Sequence, residues 1–519
     1  MVMGMTWLAN TEFDTAWAHA PWTDFRDGRT SETMAILPIH GFADHGLGLA
    51  LDVEETVGNE ILHRAVLEAK PVVPIRVLPP LRFGPAPYAA SFFGVDPETA
   101  HDLLREIATG VKAAGGAKLV FLVTSPWQIE FVDAASRDVR VEVGLQTFVI
   151  PLAGLGLSLH PDSADRSIVQ ALGSHLLAQT PGPARPGIAV EPDFRPGRWD
   201  QPAPVVPAPA LDVPAVLGRA QLHLARLLTE IAGRAPLGQR DHRPPPPLPA
   251  QPSPRRAGTP TLWPSYRSRY LPSLTRDELE ALPDKDRAFV IIPTGSVEQH
   301  GPHLPVGVDA ILGQAWLEAA LPLLPPTLPI WVAPPLTYGK SNEHVGFPGT
   351  LSVSGRSLRR LLMALASQLK ALGFRQLGIL NTHGGNSAVL VYTLREIQTQ
   401  LGLRAGMIGQ PYRPELSPQE AQYGFHAGEW ETGLMMAAAG DLVRPECAVC
   451  EWPVREDDSG ELRPENAPAI FSWITSDISR SGVMGDATAA TPEKGRLWLT
   501  EGARALAARI ADLTARGKA

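Results

Sequence analysis

The chain has 519 residues, 44% of them apolar and 19% charged, and a formal net charge of −8. That length exceeds one ordinary hydrophobic core and predicts two or more domains. The mild negative charge and the lack of any Lys/Arg-rich run argue against a nucleic-acid surface, and no run of about 18 apolar residues suggests a membrane helix. The start, "MVMGMTWLANTEFDTAW", has no basic stretch leading into an apolar one, so no secretory signal and a cytoplasmic location are expected. The only cysteines, Cys447 and Cys450, exclude a disulfide framework. Their C-x-x-C spacing has no partner pair and reads as two small semi-buried residues.

Taken from the N-terminus, the elements repeat. "MAILPIHGFADHGLGLALDVEETVG" (34–58) falls without gaps on "FVIIPTGSVEQHGPHLPVGVDAILG" (289–313), an offset of 255. The same offset sets "PIRVLPPLRFG" (74–84) on "PIWVAPPLTYG" (329–339). Three residues are gained, and "DLLREIATGVKAAGGAKLVFLVTS" (102–125) then falls on "RLLMALASQLKALGFRQLGILNTH" (360–383). "LGRAQLHLARLLTEIAG" (217–233) resembles "KGRLWLTEGARALAARIAD" (494–512), predicting a closing helix in each copy. Four blocks in one order indicate an internal duplication: a first copy over 1–236, a linker over 237–262 and a second copy over 263–519. The linker is rich in proline, which blocks helix and sheet pairing and favours an extended spacer. A tether is expected there, with a proline-rich ligand as the alternative.

Within the second copy, "AFVIIP" (288–293) and "LGILNT" (377–382) read as buried parallel strands. "SGRSLRRLLMALASQLKALGF" (354–374) places Leu358, Leu361, Leu362, Leu365 and Leu369 at helical spacing, with Gly373 as its C-cap. Helix and buried strand in alternation predict α/β layers on a mostly parallel sheet, with ligands at the strand C-termini. The loops after 293 and 382 are therefore the expected place of chemistry.

The five histidines of this copy all lie in glycine-containing motifs. In "EQHGPHLPVGVD" (298–309), Glu298 and His300 leave the same face of an extended segment, and Asp309 can return to them after the turn. In "NTHGGN" (381–386), His383 sits just past a buried strand. Imidazole with carboxylate suits Zn²⁺, Mn²⁺ or Fe²⁺, and one shared carboxylate is a common way to hold two ions. In "HAGEWE" (426–431), Glu431 is a candidate ligand and His426 a candidate proton carrier, if Gly428 lies at a loop-to-helix junction. Glu429 is read as outer support or surface.

These motifs resemble the creatininase, or creatinine amidohydrolase, family. The matching stretches are "GSVEQHGPHLPVGVD" (295–309), "YGKSNEHVGFPGTLSV" (338–353), "NTHGGN", "HAGEWET" and "GVMGDATAATPEKG" (482–495). The resemblance implies two tandem α/β/α domains and a site for two divalent metal ions in the second. One ion would take Glu298 and His383, the other His300 and Glu431, with Asp309 bridging. His426 matches the family's catalytic histidine. His303, Ser341, His344, Asn386 and Glu429 are placed around the cleft, in contact with substrate or behind the ligands. Gly385 and Gln422 stand where creatininase itself has a glutamate and a tryptophan, so creatinine is not the expected substrate. Family members are typically homohexamers built from dimers, so a homo-oligomer is expected, with a trimer of two-domain chains as one form.

The same alignment shows what the first copy has lost. Glu298 becomes Ala43, His383 becomes Ser125, and no "HAGxxE" occurs in 126–236. His45 persists and Glu54 stands for Asp309. The expectation is a degenerate first domain beside a catalytic second one that hydrolyses amide-type C–N bonds of a cyclic amide, formamide or peptide. The rivals are hydrolysis of a cyclic ketone or lactone by the same site, and a metal-binding scaffold or partner-binding protein without turnover.

Overall fold

The computed structural model describes residues 14–26, 33–85, 91–159, 166–182, 212–235, 264–453, 462–463, 469–470 and 472–516. The expected linker, 237–262, and both of its boundaries lie outside these residues. Two four-stranded parallel sheets form the frame. The first holds β1 (Met34–Ile39), β2 (Ile75–Val77), β3 (Lys118–Val123) and β4 (Gln146–Pro151), in the order β2-β1-β3-β4. The second holds β5 (Phe289–Thr294), β6 (Ile330–Val332), β7 (Gln376–Asn381) and β8 (Arg404–Met407), in the order β6-β5-β7-β8. Every residue of β1 and of β5 is buried, as expected for apolar runs covered on both faces.

The register repeats the sequence offset. Met34 pairs with Ile75 and Lys118, and Phe289 pairs with Ile330 and Gln376. The partners therefore stand 255 and 258 positions apart, the second value carrying the three gained residues. Helices α1 (Val53–Ala69), α2 (Pro97–Ala113), α3 (Ile129–Glu142) and α4 (Val213–Gly233) flank the first sheet. Helices α5 (Val308–Ala320), α6 (Gly355–Ala371), α7 (Ser387–Glu396), α8 (Glu429–Ala439) and α9 (Pro492–Arg516) flank the second. In α6 the predicted leucine face is buried, the Ser354 hydroxyl caps the Ser357 amide, and Gly373 follows the helix at φ 104°. Such a cap contributes about 1 kcal/mol. No described helix is long and apolar enough to cross a membrane.

The two halves share one core. Leu103, Ile107 and Val111 of α2 belong to the same buried cluster as Leu358, Leu361 and Leu365 of α6. The segments leading into the two sheets are exchanged. Residues 14–26 bridge to β2 through Ala16 and Val77, then accept hydrogen bonds from Val306 and Gly307 at the Ala20 and Ala18 carbonyls. Tyr270 bridges to Val332 in β6, and the Leu274 and Pro272 carbonyls accept from Leu51 and Asp52. Leu51 and Asp52 are the positions 255 before Val306 and Gly307, so the contact is self-complementary, as across a twofold axis.

His40, at the end of β1, is fully buried, and Nδ1 lies 2.8 Å from the Thr124 hydroxyl. Burial pushes its pKa down to about 4; Arg82 adds to this and the Glu55 and Glu54 carboxylates oppose it. The unfolded chain, with an ordinary value of about 6.5, therefore takes up the proton first. Stability is full above about pH 6.5 and falls by about 3 kcal/mol as pH drops toward 4. Denaturant midpoints measured across this window will fall in the parent and fall less steeply in His40→Asn; equal slopes would clear His40 of the effect.

Candidate metal centre

The candidate residues converge at the C-terminal ends of β5 and β7, where an open α/β sheet leaves a crevice. The loop after β5 carries Glu298 and His300, and Asp309 sits in the first turn of α5. His383 follows β7 directly. Gly428 is the N-cap of α8, so His426 arrives from the loop and Glu431 from the first helical turn. A Cβ at Gly428 would stand 2.3 Å from Glu420 Oε1, which explains the glycine between them. Glu298, His300, Asp309, His383 and His426 are all buried.

Backbone carbonyls decide which ring nitrogens face inward, because a carbonyl can only accept. His300 Nδ1 donates to the Glu298 carbonyl at 3.1 Å. Its Nε2 then faces Asp309 Oδ1 at 3.6 Å, Glu431 Oε2 at 3.8 Å and Glu298 Oε1 at 4.0 Å. His383 Nε2 donates to the Lys340 carbonyl at 2.9 Å. Its Nδ1 faces Glu298 Oε1 at 3.1 Å and Asp309 Oδ2 at 3.5 Å. His426 Nε2 donates to the Gln299 carbonyl at 2.8 Å, leaving Nδ1 3.8 Å from Glu298 Oε1. Asp309 thus stands between two imidazoles with one oxygen toward each.

Lone pairs on nitrogen opposed to carboxylate oxygens repel unless a cation lies between them. Glu298 Oε2, His300 Nε2 and Asp309 Oδ2 are buried without a hydrogen-bond partner among the described residues. The titration behaviour expresses the same demand for positive charge. Burial lowers the pKa of His300, but Asp309, Glu431 and Glu298 outweigh it and push it up to about 9. Burial is likewise outweighed at His383 by Glu298 and Asp309, giving about 10. Burial raises Glu431 to about 7. His426 is held well below its usual range by burial and by the nearby His300 and His344, and so stays neutral. The donor atoms form compact groups: Glu298, Asp309 and His383; His300, His426 and Glu431; and Glu298, His344 and His426. Nitrogen and carboxylate donors in this arrangement suit divalent cations.

The surrounding residues divide. His344 Nε2 faces Glu298 Oε1 at 3.6 Å, and its Nδ1 lies 2.6 Å from the Thr475 hydroxyl. The Ser341 hydroxyl reaches His383 Nε2 at 3.2 Å. Asn386 is fully buried and ties Gly295 to Lys340, so it holds the loops together. His303 is turned to the Thr432 hydroxyl at 2.8 Å. Glu429 is not brought to the cluster: its carboxylate pairs with Lys494 on α9.

Sequence reading missed three supports. Gln299 donates to the Gly482 carbonyl at 3.0 Å and lies 3.0 Å from both His344 Nδ1 and His426 Nε2. It sits inside the "EQH" motif, so its position was a signal. Glu420 accepts from the backbone amides of Glu429 and Asp486, each at 2.8 Å, and nothing in its local sequence marks it. Glu343 occupies the room beside His383: a Cβ on Gly385 would stand 2.0 Å from Glu343 Oε1.

The family model described as Creatininase, creatinine amidohydrolase, matches residues 18–182 and 272–510, well over half the chain. The chain belongs to the creatininase family. It is 32% identical over 226 residues to the mycofactocin precursor peptide peptidase of Mycolicibacterium smegmatis, 43% of this chain and 84% of that protein. It is 29% identical over 255 residues to the creatinine amidohydrolase of Pseudomonas putida, covering 45% and 92%. It is 27% identical over 244 residues to the 3-dehydro-scyllo-inosose hydrolase of Thermotoga maritima, covering 42% and 74%. This makes the protein a creatininase-family hydrolase.

The two creatininase-like halves differ at the sheet ends. All three donor groups found among the described residues belong to the second half. In the first, His45 Nε2 closes directly on Glu54 Oε1 at 3.0 Å, and His45 Nδ1 lies 2.9 Å from the Leu159 carbonyl. Glu54 Oε2 accepts from the Gly41 amide at 2.8 Å. The surviving pair satisfies itself and the backbone around it.

Glu420→Ala would leave the amides of Glu429 and Asp486 unpaired in a buried site. The expected loss of stability is about 2–4 kcal/mol, read as a lower denaturant midpoint with unchanged m-value. A change below 0.5 kcal/mol, about the scatter of surface substitutions, would contradict the capping role.

Proposed function

We propose that the second half is a metal-dependent hydrolase of amide-type C–N bonds, acting on a short peptide, and that the first half is catalytically degenerate. Glu298 and His383 would hold one divalent ion, His300 and Glu431 a second, and Asp309 both. The observation that carries this reading is Asp309, whose two oxygens divide between His300 Nε2 and His383 Nδ1. Bound there, two divalent ions would acidify an attacking water and polarise the scissile carbonyl. Zn²⁺, Mn²⁺ and Fe²⁺ all accept these ligands, and supply decides among them.

The chain's own residues account for the proton. His426 presents Nδ1 to the cluster, because its Nε2 hydrogen is committed to the Gln299 carbonyl. Its lowered pKa leaves Nδ1 unprotonated and free to accept, and makes the ring, once protonated, a ready donor to the departing nitrogen. His344, held by Thr475, faces the same Glu298 oxygen as His426, and the two rings stack at 4.4 Å between centroids, which fixes the orientation of His426. The Lys340–Glu343 ion pair at 3.0 Å stands at the rim beside His383.

The peptide assignment draws on the mycofactocin peptidase relative, which is 32% identical over 84% of its own length. The Glu343 carboxylate beside Gly385 makes this rim unlike a site with a side chain at 385, which supports a substrate other than creatinine. The Thermotoga maritima relative favours a second reading, hydrolysis of a cyclic ketone by the same residues. The self-complementary contact between the halves supports a further reading: the fused pair replaces a subunit dimer, and the chains assemble as a trimer.

Metal-loaded protein offered short peptides, formamides, lactams and a cyclic ketone should release amine from the peptides. His426→Ala should lower kcat about 10²–10⁴-fold with metal content unchanged. Glu298→Gln or His383→Ala should lose bound metal on elemental analysis, and His45→Ala should keep it. Metal bound in the parent with no turnover of any substrate would instead favour a scaffold.

A further inference from the structure

We infer that residues 14–26 of the first half are a positioning clamp for the metal centre of the second, so that the degenerate half serves as a tethered subunit of the active one. The inference rests on the reading of the Glu298–His300–Asp309–His383–Glu431 cluster as a metal centre.

The segment reaches the ligand-bearing loop by four routes. The Ala18 and Ala20 carbonyls accept from Gly307 and Val306, both at 2.9 Å, immediately before α5 and Asp309. Asp24 pairs with Arg444 through both guanidinium branches at 2.8 Å, and the Arg444 amide donates to the His303 carbonyl at 2.9 Å. Trp22 Nε1 donates to the Ser481 carbonyl at 3.1 Å, and the next carbonyl, that of Gly482, accepts from Gln299. Trp17 Nε1 donates to the Gly349 carbonyl at 2.9 Å; the adjacent Thr350 hydroxyl accepts the Gln299 amide, and the Leu351 amide donates to Val297. Each anchor thus ends on or next to a residue that holds 297–307.

This loop has reason to need outside support. It contains Gly301 at φ 71°, Gly307 and two prolines, and among the described residues its one isolated bridge, His300 to Leu304, is internal to the loop rather than to the sheet. Fixing it costs conformational entropy that a metal ion alone would otherwise have to offset. The clamp supplies that order before an ion arrives. Trp17 and Trp22 are buried, which strengthens their hydrogen bonds. Trp22 also stacks edge-on against Phe347, with ring centroids 5.0 Å apart, in the loop that carries Ser341 and His344.

The reverse arm makes the matching backbone contacts on the first half, so what sets residues 14–26 apart is the loop they reach rather than the contact itself. Its carbonyls at Pro272 and Leu274 pair with Asp52 and Leu51, and Arg267 grips Asp52 through both branches. That arm serves the half in which His45 and Glu54 have closed on each other. Among the other contacts that join the halves, Arg360 in α6 pairs with Asp96, the N-cap of α2, and with Asp102 within α2, and neither acid bonds to residues 297–307.

The test uses the full-length chain. Zn²⁺ is titrated into apoprotein against a chromophoric chelator, with melting temperature and the KM and kcat of the active substrate measured alongside. Asp24→Asn keeps the side-chain shape but removes the charge and one of the two bonds to Arg444; Trp22→Phe keeps an aromatic ring of smaller size but removes the bond to Ser481. Each should weaken Zn²⁺ affinity about tenfold, the lower end of the range for outer-sphere partners, and lower kcat with KM little changed. Arg360→Gln should lower the melting temperature and leave affinity at the parent value. Folded Asp24→Asn and Trp22→Phe proteins with parent affinity would overturn the clamp, as would equal weakening in Arg360→Gln. A parent that binds no Zn²⁺ would overturn the metal-centre reading itself.

Discussion

The buried opposition of imidazole lone pairs and carboxylates at the ends of β5 and β7 is what the rest of the structure has to tolerate. His300 and His383 each give one proton to a backbone carbonyl and turn the other nitrogen toward acids. Asp309 sits between them with an oxygen for each. Without positive charge the arrangement repels itself, and its burial makes that repulsion stronger than it would be in water. The surrounding structure answers with bonds that leave these side chains little choice: Gln299 under His426, Glu420 under the start of α8, Asn386 between three loops. Chemistry and rigidity are thus the same requirement seen from two sides.

The first half shows what happens when the requirement is dropped. With alanine at 43 and serine at 125, the remaining histidine and acid meet at 3.0 Å and need nothing else. The sheet, its register and the exchanged arms persist, because they depend on apolar burial and backbone pairing rather than on the ligands. What remains is a surface shaped to fit a second copy of the same fold. In this chain that surface meets the loop carrying Glu298 and His300.

Much of this was legible in the sequence because the informative features are local or periodic. The offset of 255, rising to 258, reappears in the pairing of Met34 and Phe289 with their neighbours. The leucine face of α6 and the glycine junction before α8 follow from spacing and backbone freedom. Five candidate ligands could be named because each lies in a short motif. Glu420 could not, since its partners, Glu429 and Asp486, are set by tertiary folding. Glu429 went the other way: beside Glu431 in sequence, it is turned toward Lys494 by the helix. The clamp was invisible for the same reason as Glu420, because Ala18 and Ala20 act only through their carbonyls.

The central claim is that the second half, and only it, holds a pair of divalent ions about Asp309. Crystals of the full-length protein grown with Zn²⁺, with diffraction recorded on both sides of the zinc absorption edge, test it directly. The account predicts two anomalous peaks about 3.5–4 Å apart flanking Asp309, with none beside His45 and Glu54. A single peak, no peak at Asp309, or a peak at His45 would contradict it.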